Sequence, residues 1–519
     1  MWMFGRVFMA AVVIVVWKCF EKLWLRPMRV QREMRAQGVR GPGYKLIEGN
    51  SREIFDMRVA SMSQPMELSH RLLPRIQPYV HTWIQTYGTN YLQWDGLNPQ
   101  LVVTDAEMIK EVLNDKDGAY VKPEPPVYFR KLFGDGLPYS AGEKWAKSRK
   151  ISTHAFNGES LKASQPSAEL MLEGWRGSDG KEIEVYGMFK LFTADVISRT
   201  AFGSSYEQGK NMFEMLSELT LIAVRNSFKN KLPVISKFWR SADDAESERL
   251  ENEVKGLVLK MVRSREEKVL GGEASGYGDD FLGLLLKASH DADESRRIGA
   301  EAVVDECKTF YVAGSDTSNT LLTWTVFLMA LHTEWQEEAR KEVFEHFGGG
   351  KPHPDGLSRL KTMSMIINEC LRLYPPTPGF LRHVEKRVTL GNLELPHNLN
   401  IFISTLALHH DTKIWGKEAQ VFNPGRFSEG VARATDKNIA AFFPFGIGPR
   451  TCVGSHFAVM EAKIAIAMIL QRYKFTLSPN YVHSPRQFIT IRPQLGVQII
   501  ITATNYNDAE HGSMQIALP

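Results

Sequence analysis

The densest chemistry in the chain lies in Phe445-Gly446-Ile447-Gly448-Pro449-Arg450-Thr451-Cys452-Val453-Gly454. The segment fits F-x-x-G-x-R-x-C-x-G. A lone cysteine is ordinarily a small buried apolar residue, but this pattern meets five fixed positions around Cys452 and points to a ligating thiolate. Glycines at 446, 448 and 454 let the backbone turn tightly and come close to a bound group. Backbone N–H groups beyond the cysteine can hydrogen-bond its sulfur, and the helix that follows aims its positive end at it. Three more constellations accompany it. In Ala313-Gly314-Ser315-Asp316-Thr317-Ser318, Gly314 weakens a helix and Thr317 can divert a hydrogen bond from its ladder, and both favour a local bulge. Glu369 and Arg372 stand at i, i+3 on one helix face, and Trp145 and Arg149 stand at i, i+4.

Together these motifs resemble the cytochrome P450 family. The resemblance implies haem b with Cys452 as the axial ligand of its iron, and a thiolate there pushes electron density toward O–O cleavage. It implies that Arg450, Trp145, Arg149 and Arg382 meet the haem propionates, and that Phe445 and Gly454 pack at the ligand loop and cofactor. Asp316 and Thr317 match the family's oxygen-activation motif, in which the threonine hydroxyl bonds the oxygen being activated and the acid helps deliver protons. Glu369 and Arg372 are implied to form a buried structural network with Arg426 of Phe422-Asn423-Pro424-Gly425-Arg426-Phe427. Gly425 replaces a frequent Glu of the family, at a position outside that network. Segments such as RGPGYKLIEGN and FFPFGIGPRTCVG are similar to the plant clan that includes secologanin synthase and hormone-inactivating hydroxylases.

The implied activity is monooxygenation, RH + O₂ + NADPH + H⁺ → ROH + H₂O + NADP⁺, on a small hydrophobic terpenoid, plant hormone or fatty acid. No flavin module or G-x-G-x-x-G context is present, so the electrons of NADPH are expected through a membrane-bound NADPH–cytochrome P450 reductase. Lys437, Arg450 and Lys463 are candidate cations for its acidic surface. Substrate contacts are expected from Lys122–Leu137, Tyr311–Ser315, Thr377–Leu381 and Gln487–Thr490, with Phe129, Phe133, Phe380 and Phe488 making an apolar pocket. Two rivals are a haem-thiolate isomerase or dehydratase acting without O₂ and a non-catalytic haem-binding protein. The intact Gly–acid–Thr set argues against both.

The elements that must position these groups read as mainly α with small β-sheets, the fold of that family. TNYLQWDG and PQLVVTD suggest a strand, turn and strand. A helix GLVLKMVRSREEKVL ends at Gly271, a long helical pattern runs from Glu301 to His346, another covers Leu357 to Leu373, and a helix to Gln471 follows Cys452. Residues 380–405 alternate as strands. Cys19, Cys307 and Cys370 read as inert apolar residues, and His409-His410 as a surface or strand-end pair.

Lys and Arg number 63 against 59 Asp and Glu, a net +4 with no basic run, which excludes nucleic-acid binding as the main role. Four cysteines without a CxxC pair exclude a disulfide framework. Val7 to Trp17 is uncharged and apolar between Arg6 and Lys18, and residues 18–40 are strongly basic. The expectation is a single-pass N-terminal transmembrane anchor in the endoplasmic reticulum membrane, contacting lipid, with the catalytic part in the cytosol. The chain then divides into an anchor over 1–24, a basic linker with a Pro/Gly hinge over 25–43, a catalytic domain over 44–505 and a tail over 506–519.

Overall fold

A computed structural model describes residues 2–156, 160–227 and 240–504; the expected C-terminal tail falls outside them. Helices α1 (Trp2–Phe20) and α2 (Arg26–Ala36) form the N-terminus, and α3 (Gly142–Ala155), α4 (Val185–Phe202), α5 (Ala300–Leu331), α6 (Lys361–Leu373) and α7 (Ser455–Arg472) bear on the site. The strands are β1 (Tyr91–Asp95), β2 (Asn98–Val103), β3 (Tyr120–Val121), β4 (Glu182–Glu184), β5 (Phe380–Val384), β6 (Val388–Leu390), β7 (Leu393–Leu395), β8 (Asn400–Ile403), β9 (Tyr473–Leu477), β10 (Pro485–Gln487), β11 (Ile491–Pro493) and β12 (Gln498–Ala503).

Most of the chain is helical. The largest sheet has the order β1-β2-β8-β5-β3, parallel only between β2 and β8. The expected hairpin is β1–β2, with Tyr91 opposite Val102. A three-stranded sheet β4-β12-β9 and the pairs β6-β7 and β10-β11 complete the β content.

Helix α5 crosses the main core and is buried through most of its length, including Leu322, Trp324, Phe327 and Leu328. A helix buried all round must satisfy its polar side chains internally. Thr320 and Thr325 do so by donating to the carbonyls of Asp316 and Leu321, one turn back. Helix α7 packs beneath it, with Ile464, Ala465, Met468 and Ile469 in the same core.

Two expected helices are divided. The pattern from Glu301 to His346 breaks at His332 (φ −118°, ψ 74°) into α5 and Thr333–Phe347. Gln336 makes the break tolerable: its amide donates to the Met329 and Phe475 carbonyls, giving Met329 the partner that a continuous ladder would have supplied. Leu360 (φ −67°, ψ 86°) similarly separates Pro354–Arg359 from α6.

At the N-terminus, α1 continues through a π-helical turn into α2. The side chains of Phe4, Val7, Phe8, Met9 and Trp17 are exposed. Among the described residues, no helix is long and apolar enough to cross a membrane. Charges at Arg6 and Lys18 close off the apolar run, so the full span expected from the sequence has no support here. The basic stretch is not free of the body. Val30, Met34 and Val39 enter a core with Trp94 and Leu101. Gly41 lies so close to β1 that a Cβ there would sit 1.8 Å from the Leu92 carbonyl oxygen, and Leu92 donates to the Arg40 carbonyl at 2.8 Å.

Candidate active site

The loop before α7 is wound around its own backbone. The Cys452 N–H donates to the Phe445 carbonyl at 2.8 Å, and the Thr451 hydroxyl donates to the Gly446 carbonyl at 3.0 Å. Gly448 (φ 74°) is required twice over, because a side chain would be strained there and would also strike the Leu113 carbonyl at 2.3 Å. These contacts present the Cys452 sulfur to a cavity of about 1230 Å³, including its open mouth.

That cavity unites most of the expected residues. Its walls include Cys452, Phe445, Gly454, Arg450, Trp145, Arg149, Gly314 and Thr317. Cys452 is exposed, and this cavity is where it is presented. Burial pushes its thiol up, while the Gly454 N–H and the Arg149 charge pull the other way. An iron ion at this sulfur would reverse the balance in favour of thiolate.

Across the cavity, α5 contributes Ala313, Gly314, Thr317 and Ser318. The expected bulge is absent, for α5 is α-helical from end to end. Gly314 serves packing: a Cβ there would lie 2.4 Å from the Ile197 Cδ1 of α4. Thr317 does bend a hydrogen bond to the ladder, donating to the Ala313 carbonyl at 2.5 Å. Asp316 is not part of the cavity wall. Its carboxylate turns aside to the β10–β11 turn, where the Thr490 hydroxyl donates to Oδ2 at 2.7 Å.

One edge of the cavity is a cluster of cations. Arg450 stacks on Trp145, 4.3 Å from the ring centroid, and donates to the Ser140 carbonyl at 2.8 Å. Arg149 donates to the Thr451 carbonyl. Arg382 does not line the cavity itself; it is buried behind this edge, within reach of the Lys122 and Arg450 charges, and donates to the Leu381 carbonyl at 2.9 Å. Lys122, expected only as the start of a substrate loop, is a further member. The pairing of Tyr120 with Val384 and Val121 with His383 carries it to the side of Arg382. Burial and then the Arg382 and Arg450 charges push Lys122 down to about 7. Burial, then Arg450, brings Arg382 to about 10; burial, then Arg149, does the same to Arg450. Among the described residues no carboxylate offsets these repulsions. Such a set calls for an anionic ligand. A planar dianion with a metal above Cys452 fits both the cation edge and the sulfur, as the haem implied by the motifs would.

The buried network behind the loop is also assembled. Arg372 donates to Glu369 from Nε (2.7 Å) and Nη2 (2.8 Å), and both side chains are fully buried. Arg426 Nε approaches Glu369 at 3.5 Å, and the Asn423 N–H donates to it at 3.0 Å. The pair His409-His410, expected at the surface or a strand end, is buried at the end of the short helix Thr405–His409. Arg372 donates to the His409 carbonyl, and the His409 ring accepts from the Phe443 N–H at 3.1 Å. The histidine thus ties the ion pair to the strand of chain that becomes the cysteine loop. A dipeptide with no periodic signal could not reveal this from sequence.

Other expectations divide. Leu137, Thr377 and Phe380 line the cavity, whereas Phe129 and Phe133 pack against the neighbouring core and Phe488 lies 4.1 Å from the Arg492 guanidinium. Of the candidate partner-facing cations, Lys437 is exposed. Lys463 is buried and donates to the Leu357 and Leu360 carbonyls, and Arg450 points into the cavity; neither offers a surface charge.

Comparison with known proteins places these features. The family model described as Cytochrome P450 matches residues 72–499. Cytochrome P450 CYP749A22 of Panax ginseng is 52% identical over 94% of both chains. Cytochrome P450 734A1 of Arabidopsis thaliana is 37% identical over 98% of this chain and 99% of its own. An 11-oxo-beta-amyrin 30-oxidase of Glycyrrhiza uralensis is 39% identical over 96% of this chain and 98% of its own. The crystal structure of the cytochrome P450DA heme domain shares the fold, with a TM-score of 0.72 at 23% identity over 84% of this chain and 94% of that one.

Proposed function

The chain belongs to the cytochrome P450 family of haem monooxygenases, with plant relatives, and from that premise we propose that it inserts one oxygen atom from O₂ into a small hydrophobic terpenoid, plant hormone or fatty acid. The electrons come from NADPH through a cytochrome P450 reductase. The observation that carries this reading is the opposition of Cys452 and the Gly314–Thr317 turn of α5 across one cavity rimmed by unpaired cations.

Haem b, held there, supplies the oxygen-activating chemistry. Cys452 would hold its iron, Phe445 and Gly454 would pack about it, and Lys122, Trp145, Arg149, Arg382 and Arg450 would hold its propionates. Ile197, Phe310, Ala313 and Phe380 give the remaining wall an apolar character that orients a hydrophobic substrate and excludes water. Thr317 holds a hydroxyl at that wall and Asp316 brings protons toward it. Glu369, Arg372 and Arg426 act at a distance by fixing the loop. The Glycyrrhiza relative makes an oxidised triterpene skeleton one reasonable substrate class.

The exposed apolar α1 and the basic α2 support attachment to the endoplasmic reticulum membrane by residues 1–24, with residues 44–505 as the catalytic body in the cytosol. Residues 25–43 join the two. Exposed Lys437 suits the reductase-facing side.

The deciding experiment is the CO difference spectrum of the dithionite-reduced full chain, for wild type and Cys452→Ser. A red-shifted thiolate-type Soret band, lost in the variant, is expected. A folded wild type without a haem band would overturn the reading. Turnover of 11-oxo-β-amyrin, gibberellin and lauric acid with a plant reductase then separates the substrate classes.

A further inference from the structure

We propose that Thr490 is a positioning residue for proton delivery, holding the Asp316 carboxylate toward a polar cleft separate from the cavity. This rests on the role given to Asp316 above.

The turn that carries Thr490 is rigid. The Phe488 N–H donates to the Thr490 carbonyl at 2.9 Å, closing the turn. The next residue, Ile491, is clamped twice: its N–H donates to the Pro376 carbonyl at 3.1 Å, and its carbonyl accepts from Trp324 Nε1 at 2.7 Å. Trp324 lies on α5 itself, so the turn and Asp316 share one frame. Thr490 is fully buried, and its hydroxyl is spent on Asp316 Oδ2. A hydroxyl given to a carboxylate is the stronger, shorter type of hydrogen bond.

What the carboxylate faces gives the contact its sense. Tyr186 and Lys190 of α4 and Arg492 of β11 all act electrostatically with Asp316 or with one another, and Glu184 and Glu214 add two acids to the set. The Tyr186 hydroxyl accepts from Arg492 Nη1 at 3.3 Å. Glu184, Tyr186, Phe488 and Arg492 line a separate cleft of about 650 Å³ that opens to the surface. Cleft and cavity have no lining residue in common. Asp316 lines neither of them, but it adjoins Thr317, which lines the cavity, and Tyr186, which acts on it electrostatically, lines the cleft. Protons from solvent therefore reach Asp316 through the cleft, and Thr490 keeps the carboxylate pointed at that supply. Without the hydroxyl the side chain loses its one hydrogen bond from the turn, and its orientation spreads.

The test uses the haem-loaded full chain and the variants Thr490→Val, Thr490→Ser, Asp316→Asn and the Val/Asn double variant. Unfolding midpoints form one cycle, which requires no turnover. The double variant should lose less than the sum of the single losses; strict additivity would overturn the contact. Turnover forms the second readout, as NADPH oxidation with a plant reductase in H₂O and D₂O. Thr490→Val should slow it by up to about tenfold and enlarge the solvent isotope effect, with Thr490→Ser restoring both. If Asp316→Asn does this and Thr490→Val does not, the inference fails and the role of Asp316 stands. If Asp316→Asn has neither effect, both fall.

Discussion

At the scale of single residues, the motif positions and their neighbours obey different rules. Cys452, Arg450, Trp145, Arg149 and Thr317 are readable because their spacing is local, set by one loop or one helix, and the cavity brings them together. Gly314 is readable as a position but not as a cause. The sequence suggests a bulge in the helix, whereas the structure shows a helix crossing so close that Ile197 occupies the space of a side chain. Gly314→Val should therefore cost about 1–3 kcal/mol by overpacking. Adding Ile197→Ala should recover part of the loss in the unfolding midpoint. If Gly314→Val alone left the midpoint unchanged, the crossing would not be tight. Lys122 is the opposite case. It belongs to no motif, and only the β3–β5 pairing delivers it to Arg382. Lys122→Met removes one cation from the edge proposed to hold the propionates. Faster haem transfer to apomyoglobin is the expected outcome, and an unchanged transfer rate would remove Lys122 from that edge.

At the scale of elements, helix ends were legible in places, as at Gly271 and at the end of the helix after Cys452. The breaks at His332 and Leu360 were not, because each depends on tertiary partners: the Met329 carbonyl is satisfied by Gln336 across the break. The same limit hid His409, whose ring and carbonyl join α6 to the chain leading into the cysteine loop. The ion pair at the end of α6 is the strongest link of this kind. Glu369 and Arg372 are fully buried, and each completes the other's charge while Arg372 also serves the His409 and Ala419 carbonyls. Removing one member of such a pair leaves a buried uncompensated charge and costs about 3–5 kcal/mol. Arg372→Met should lose thiolate-ligated haem in the CO spectrum as the loop loosens. Since Arg372 also supplies backbone donors, Arg372→Lys should not restore it; full restoration by lysine would mean that charge alone matters there.

At the scale of the whole molecule, the buried histidines set its acid limit. His70 lies among Tyr374, His332, His410, His483 and Arg372, with its Nδ1 2.9 Å from the Tyr374 hydroxyl. Burial first, and then these like charges, push His70 down to about 3. Burial brings His410 and His483 to about 4, the Arg372 charge adding for the first and Arg75 for the second. These groups join α6, the segment before Leu72 and the strands beyond α7, so protonating them strains several elements at once. A base whose folded value lies below its unfolded value of about 6.5 keeps the fold stable only while it is neutral. The contribution is whole above that pH and is lost as pH falls toward 4, since the unfolded chain takes up protons that the native chain refuses. The unfolding midpoint should drop steeply between pH 6 and 4.5, by more than one proton's slope. His70→Gln retains a polar partner for Tyr374 without the titration, and should flatten the upper part of that drop. A midpoint that stays level down to pH 5 in the wild type would show that the cluster admits water and protons freely, and the joint between these elements would then have to be held by apolar packing around Phe327 and Tyr374 alone.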